Sequence, residues 1–160
     1  AGCGRMDWVE RGGASDAWTC AAAARGGRLR VLRRLRERGC PWNRRTCTGA
    51  AEGGHLEVLR WAREYGCPWD SWTCTGAAEG GHLELLQWAR EQGCSWNEWT
   101  CKLAAKGGHV RLLRWAIENG CPYDEHGYFF RQIKDREFVQ WFEGYRGQNS
   151  GVEQQREEVE

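Results

Sequence analysis

Neither sign of charge is in excess in this chain: 23 Lys and Arg stand against 22 Asp and Glu over 160 residues, a formal net charge of +1. A protein without a global field is not drawn as a whole to nucleic acid or to a membrane surface, so any such attraction has to be local. Long apolar runs are missing as well, and nothing approaches the roughly 20 residues that a membrane-spanning helix needs. The opening stretch from Ala1 to Glu10 has neither the apolar segment nor the cleavage pattern of a secretory signal. A soluble, intracellular protein, cytoplasmic or nuclear, is expected. The chain also opens without Met, which points to a fragment of a longer protein or a trimmed product. No C-x2-C pair is present and nine Cys is an odd number, so neither a zinc ribbon nor a closed disulfide framework follows from the composition. No Ser-His-Asp set, phosphate loop or paired-carboxylate arrangement stands out either, so no enzyme, no cofactor and no metal site is expected.

What the chain has in abundance is Trp, 11 in all, and repetition. Cys20, Cys47, Cys74 and Cys101 are each 27 residues apart, and Cys40, Cys67, Cys94 and Cys121 keep the same interval. Four units follow, from Trp18 to Arg44, Arg45 to Ser71, Trp72 to Glu98 and Trp99 to Glu125. Each reads approximately W-T-C-x-x-A-A-x-G-G-H-L-E-x-L-x-W-A-R-E-x-G-C-P-W-D-x. Self-similarity at this period marks a stacked repeat protein, in which one unit cannot cover its own apolar face and its neighbours complete the core.

Within the third unit, Asp70 is suited to cap a first helix over Trp72, Thr73, Cys74, Ala77 and Ala78, and Gly80-Gly81 stops it. From His82 to Gln92, Leu85, Leu86, Trp88 and Ala89 recur at helical spacing among Glu84, Gln87, Arg90 and Glu91, which predicts an amphipathic second helix ended by Gly93. The turn Gly66-Cys67-Pro68-Trp69-Asp70 leads straight into the next first helix and leaves no room for a strand. The expected fold is an all-α, helix-turn-helix repeat solenoid of four full repeats over residues 18–125, with degenerate units at both ends. Residues 1–17 form a partial or capping unit in which Trp8 takes the place of Leu35, Ala62, Ala89 and Ala116. Residues 126–146 form a C-terminal cap, where Arg136-Glu137-Phe138-Val139-Gln140-Trp141 follows the second-helix pattern after a one-residue deletion. From Gly147 to Glu160 the segment has Val as its one aliphatic type and no aromatic residue, and a polar tail without fixed structure is expected there.

The segment Trp72 to Asn97 resembles the ankyrin repeat, whose pattern is Thr-Pro-Leu-His-x-Ala-Ala-x-x-Gly-His, an apolar helix ending in Gly, and a turn carrying Asn or Asp. Ala77-Ala78, Gly81-His82, Leu83-Glu84, Gly93 and Asn97 fall on matching positions without a gap. Trp72-Thr73-Cys74-Thr75 departs from Thr-Pro-Leu-His, and one residue, Glu98, lies between Asn97 and Trp99 where the family has a β-hairpin finger. Loss of that finger accounts for a period of 27 in place of 33. The resemblance, which covers about Met6 to Trp141, implies a non-catalytic scaffold that holds a protein partner on the inner face of its first helices.

Positions identical in every unit are explained by stacking. Trp61, Trp88 and Trp115 on the second helix, and Trp42, Trp69, Trp96 and Tyr123 in the turns, are expected to pack between repeats. Trp18, Trp72 and Trp99 open the first helices, and Arg45 in their series argues for partial exposure. Cys67, Cys74 and His82 with their equivalents form a recurring Cys-x6-Cys-x7-His spacing, but Arg28 stands where the first His should be, and buried packing is the favoured role. Successive equivalent Cys are not expected to crosslink, because stacked helices lie about 8 to 10 Å apart. His55, His82 and His109 are placed to bond the turn backbone.

Specificity is expected where the units differ: Ala21, Thr48, Thr75 and Lys102, with Arg25, Glu52, Glu79 and Lys106, on the first helices, and Arg44, Ser71, Glu98 and Glu125 in the turns. The sequence therefore favours a monomeric protein-interaction module. The first unit differs in charge: Arg25, Arg28, Arg30, Arg33, Arg34, Arg36, Arg38, Arg44 and Arg45 are opposed by Glu37 alone within 21 residues. Solvation explains these charges without a partner, and the alternative is an anionic partner such as nucleic acid held by Arg28, Arg30, Arg33, Arg34, Arg36 and Arg38. A passive spacer inside a longer protein is the third class.

Overall fold

The computed structural model describes residues 16–124 and 128–157, with side chains placed up to Gln148 except at Tyr128 and Phe129. The partial unit expected around Met6 to Gly13, and Glu125 at the end of the fourth repeat, lie outside the described residues.

Each unit contributes a pair of nine-residue helices. These are α1 (Ala17–Arg25) and α2 (Leu29–Glu37), α3 (Arg44–Glu52) and α4 (Leu56–Glu64), α5 (Ser71–Glu79) and α6 (Leu83–Glu91), then α7 (Glu98–Lys106) and α8 (Val110–Glu118). No strand occurs among the described residues. A side-chain oxygen of Asp16, Asn43, Asp70 or Asn97 accepts a backbone N–H in the first turn of α1, α3, α5 or α7 and so sets where that helix begins. Asp70→Ala should therefore cost about 1 kcal/mol of stability, visible as a lowered thermal midpoint. An unchanged midpoint would mean that packing alone sets the start of α5.

The first helix of every unit lies against the first helix of the next, α1 on α3, α3 on α5 and α5 on α7, and against the second helix of its own unit. Ala, Gly, Cys and Thr dominate these first helices, and small side chains permit close approach. At Gly49 a Cβ atom would sit 2.7 Å from the Ala21 carbonyl oxygen, so the α1–α3 distance depends on its absence. The second helices supply the larger core residues: Leu32, Leu59, Leu86 and Leu113 form a fully buried column, one per unit. Small side chains let α1, α3, α5 and α7 pack closely against one another on one side of the array, its inner side, with the bulkier second helices on the other.

Aromatic side chains join units along the outer layer. Trp42 packs edge-on against Trp61 at 5.6 Å, Trp69 against Trp88 at 6.0 Å and Trp96 against Trp115 at 5.9 Å. In each case the turn Trp of one unit meets the helix Trp of the next, as expected of repeated aromatic positions. Guanidinium groups of Arg36, Arg63 and Arg90 cover the turn rings at 4.0–4.2 Å and donate to the carbonyls of Cys40, Cys67 and Cys94.

At the C-terminal end, α9 (Tyr128–Arg131) lies against α7 and leads into α10 (Arg136–Glu157). Phe130 and Phe138 are buried, and Tyr123, Phe138 and Phe142 make an aromatic cluster. Arg114 sits over Trp141 much as Arg33 sits over Trp61 and Arg60 over Trp88, which places Trp141 as a second-helix Trp. Helix α10 runs on to Glu157, over part of the segment from Gly147 to Glu160 expected to be a polar tail, and residues 158–160 of that segment lie outside the described residues.

Candidate functional site

The inner face of the stack is the candidate site, and the identity of each position follows from how deeply the next unit covers it. Trp18 is 61% exposed, Trp72 50% and Trp99 43%, so the rings that open α1, α5 and α7 project from this face. Arg45 holds the same place on α3, and its guanidinium lies 4.2 Å from the Trp18 ring of the preceding unit. Lys102 sits 4.7 Å from the Trp99 ring. Three exposed indoles and a cation in one repeat position thus form a row along the array.

One turn further on, the predicted positions divide. Ala21 and Thr75 are buried, whereas Thr48 and Lys102 are partly exposed. Thr75 is covered rather than open to solvent: its hydroxyl donates to the Ser71 carbonyl at 3.0 Å and lies 3.5 Å from that of Thr100 in the next unit. Thr48 likewise donates to the Arg44 carbonyl at 3.1 Å. Close first-helix packing is the cause, because each unit leans on the preceding one at this position. The adjacent positions Ala22, Gly49, Gly76 and Leu103 also differ between units and were not singled out from sequence. Gly76 joins Arg25, Glu52, Glu79 and Gly80 in lining a shallow depression of about 360 Å³. Its signal was the break in the Gly series at Leu103.

The charges at the ends of the first helices share this face. Arg25, Glu79 and Lys106 are exposed, Glu52 is half-buried, and Arg25 forms an ion pair with Glu52 across the first two units. Arg44, Ser71 and Glu98, expected in the turns, are instead the first residues of α3, α5 and α7, because the Asn or Asp before each caps the helix there. Arg44 and Glu98 are exposed and Ser71 is partly covered, with Arg44 pairing with Asp70 at 3.4 Å and Ser71 accepting from Asn97. Exposed ion pairs of this kind contribute little stability, which leaves these side chains available to a partner.

Histidines do not belong to this surface as chemical groups. The Nε2 of His55, His82 and His109 lies 2.9, 3.1 and 3.0 Å from the carbonyls of Arg25, Glu52 and Glu79, each the last residue of the preceding unit's first helix. A carbonyl only accepts, so Nε2 carries the proton and each ring ties two units together. The bond reaches the preceding unit's backbone and not the turn of its own.

Cysteines pair inside units. Cys20 Sγ donates to Cys40 Sγ at 3.3 Å, the thiols of Cys47 and Cys74 donate to the backbone carbonyls of Cys67 and Cys94 at 3.9 and 4.0 Å, and the side chains of Cys101 and Cys121 interact within the fourth unit. All eight are buried and free. The Cys-x6-Cys-x7-His spacing therefore does not gather three groups in space: Cys74 faces Cys94, Cys67 faces Cys47, and His82 faces a backbone carbonyl. Among the described residues no group of three or more His, Cys, Asp or Glu comes together as a metal site. No helix of the described residues is long and apolar enough to cross a membrane.

On the outer layer of the first unit, Arg30, Arg33, Arg34 and Arg38 are exposed, as is Arg28 in the turn. Arg36 is not part of that patch, because it is occupied with Trp42 and the Cys40 carbonyl as Arg63 and Arg90 are in their units. Arg34 stands where the later units carry Trp61, Trp88 and Trp115. No protein-family model matches the chain, and no curated protein matches it either.

Proposed function

We propose that this chain is an ankyrin-like array without fingers, a protein-interaction module that holds a protein partner on the inner face of its first helices. The ankyrin reading rests on the Ala-Ala-x-Gly-Gly-His register, with the His bonded to the preceding unit, and on tight first-helix packing that lets a 27-residue unit stack without a hairpin. The row formed by Trp18, Arg45, Trp72 and Trp99 carries the functional reading. Large rings held half-exposed on a stacked scaffold are ready anchors: they have few rotamers to lose on binding and much apolar area to bury. The backbone beneath them is already ordered, so little conformational entropy opposes association. Arg25, Glu52, Glu79 and Lys106 beside the row supply the polar part that selects among partners.

The test is affinity capture from a lysate of the source cells. The native chain is compared with one in which Trp18, Trp72 and Trp99 are Ala and Glu52 and Glu79 are Lys, after circular dichroism shows both folded. A specific protein should be retained by the native chain and bound more than about 30-fold more weakly by the variant, the loss that one anchor of about 2 kcal/mol entails. A partner held equally by both would remove the inner face from consideration.

A second reading is favoured by Arg34, a cation where packing elsewhere calls for Trp. Arg28, Arg30, Arg34 and Arg38 would then hold an anionic partner such as nucleic acid, with affinity falling steeply as salt is added. Salt-tolerant binding would favour the packed protein interface.

A further inference from the structure

The paired sulfurs in every unit have no role in the proposed surface, and their arrangement carries chemistry of its own. One sulfur of each pair comes from the middle of a first helix and the other from the turn 20 residues later: Cys20 with Cys40, Cys47 with Cys67, Cys74 with Cys94, and Cys101 with Cys121. A packing role asks only for a small apolar side chain at each place, which Ala or Val supplies equally well. It does not ask for sulfur on both sides of one contact in four successive units. At 3.3 Å, the Cys20 and Cys40 sulfurs are about 1.3 Å from the roughly 2.05 Å of a disulfide.

We propose that each unit is a site of oxidative modification, at which a small peroxide converts the buried dithiol into a disulfide within that unit. The turn sulfur, as thiolate, attacks one peroxide oxygen, the O–O bond breaks, and hydroxide leaves with the turn cysteine as its sulfenic acid. The helix sulfur then attacks that sulfur, the S–O bond breaks and water departs, the thiol proton having passed to the leaving hydroxyl. In sum two thiols and one hydrogen peroxide give one disulfide and two waters, sulfur being oxidised and peroxide oxygen reduced.

The turn partner is the natural first nucleophile. Hydrogen bonding from Cys47, Cys74 and Cys101 holds the Cys67, Cys94 and Cys121 thiols below their usual range. Those same bonds, with burial, push Cys47, Cys74 and Cys101 up. Burial pushes Cys20 up to about 12. Access also favours the turn: all eight are shielded, but Cys40, Cys67 and Cys94 are each followed in the chain by an exposed residue, Pro41, Pro68 or Ser95, so a small local opening of the turn admits a peroxide.

The experiment treats the folded full chain, with Cys3→Ser, with hydrogen peroxide, blocks remaining thiols under denaturing conditions and maps the peptides. Expected are four disulfides, each joining cysteines 20 residues apart, reversed by dithiothreitol and accompanied by a higher guanidinium midpoint of unfolding. Cys67→Ser should remove one crosslink and leave the other three. The proposal is overturned if all eight thiols can still be alkylated after a treatment that oxidises the unfolded chain. Disulfides that join different units, or oxidation that stops at sulfinic acid, overturn it equally.

Discussion

Leu86→Ala is expected to destabilise the protein by about 3 to 4 kcal/mol, the range for deleting a fully buried Leu and leaving a cavity that its neighbours fill only in part. Leu86 is 0% exposed and stands third in the column Leu32, Leu59, Leu86 and Leu113. It lies on α6 of the third unit, the helix that also carries Trp88, whose ring meets Trp69 of the preceding unit. The loss therefore falls on the middle of a quasi-linear stack, where each unit is stabilised by those on both sides. At about 3 °C per kcal/mol for a chain of this size, the thermal midpoint should fall by roughly 10 °C. Guanidinium unfolding measures the same quantity directly. A change under about 1 kcal/mol would mean that the second-helix layer closes over the missing side chain, which dense packing opposes.

Gly53→Ala is expected to be nearly as damaging, about 3 kcal/mol, although it adds a methyl group and removes nothing. The added Cβ would lie 2.3 Å from the Arg25 carbonyl oxygen and 2.6 Å from Cδ2 of His55. That carbonyl is the one His55 bonds, so relief requires the first two units to separate and the bond to lengthen. The second Gly of the same turn, Gly54, has φ near +74°, and a Cβ there would meet the His82 ring at 2.4 Å. The first three Gly-Gly turns thus receive the imidazole of the next unit, at Gly27, Gly54 and Gly81. Unfolding followed at Trp should show a lowered midpoint for Gly53→Ala; a midpoint within about 0.5 kcal/mol of the parent would show that the ring swings aside.

The Gly-Gly-His triplet illustrates what repetition hides. Its recurrence marks the turn, and the helix-start position of His82 was legible, but its bonding partner thirty residues earlier was not. Cysteine behaves the same way. Its period identified eight of the nine residues as parts of the repeat and pointed to buried packing, but which two cysteines meet in each unit was not legible from spacing. Thr75 varies in environment more than in identity: chosen as a contact residue because Lys102 replaces it in the next unit, it is covered by that unit. Trp18, Trp72 and Trp99 could be placed on α1, α5 and α7 from sequence, but their exposure could not, because Trp in this chain serves both as packing and as surface.

By itself the sequence determined the helical pairs, their caps, the 27-residue register and the leucine core, all of which depend on local periodicity and on residues a few positions apart. Tertiary structure decided which face stays open, which Arg is committed to a ring and a carbonyl, and which sulfurs meet. Those properties arise from contact between units. A repeat presents the same residues at every interface, and only the distance and angle between neighbouring helices settle which of them the next unit covers.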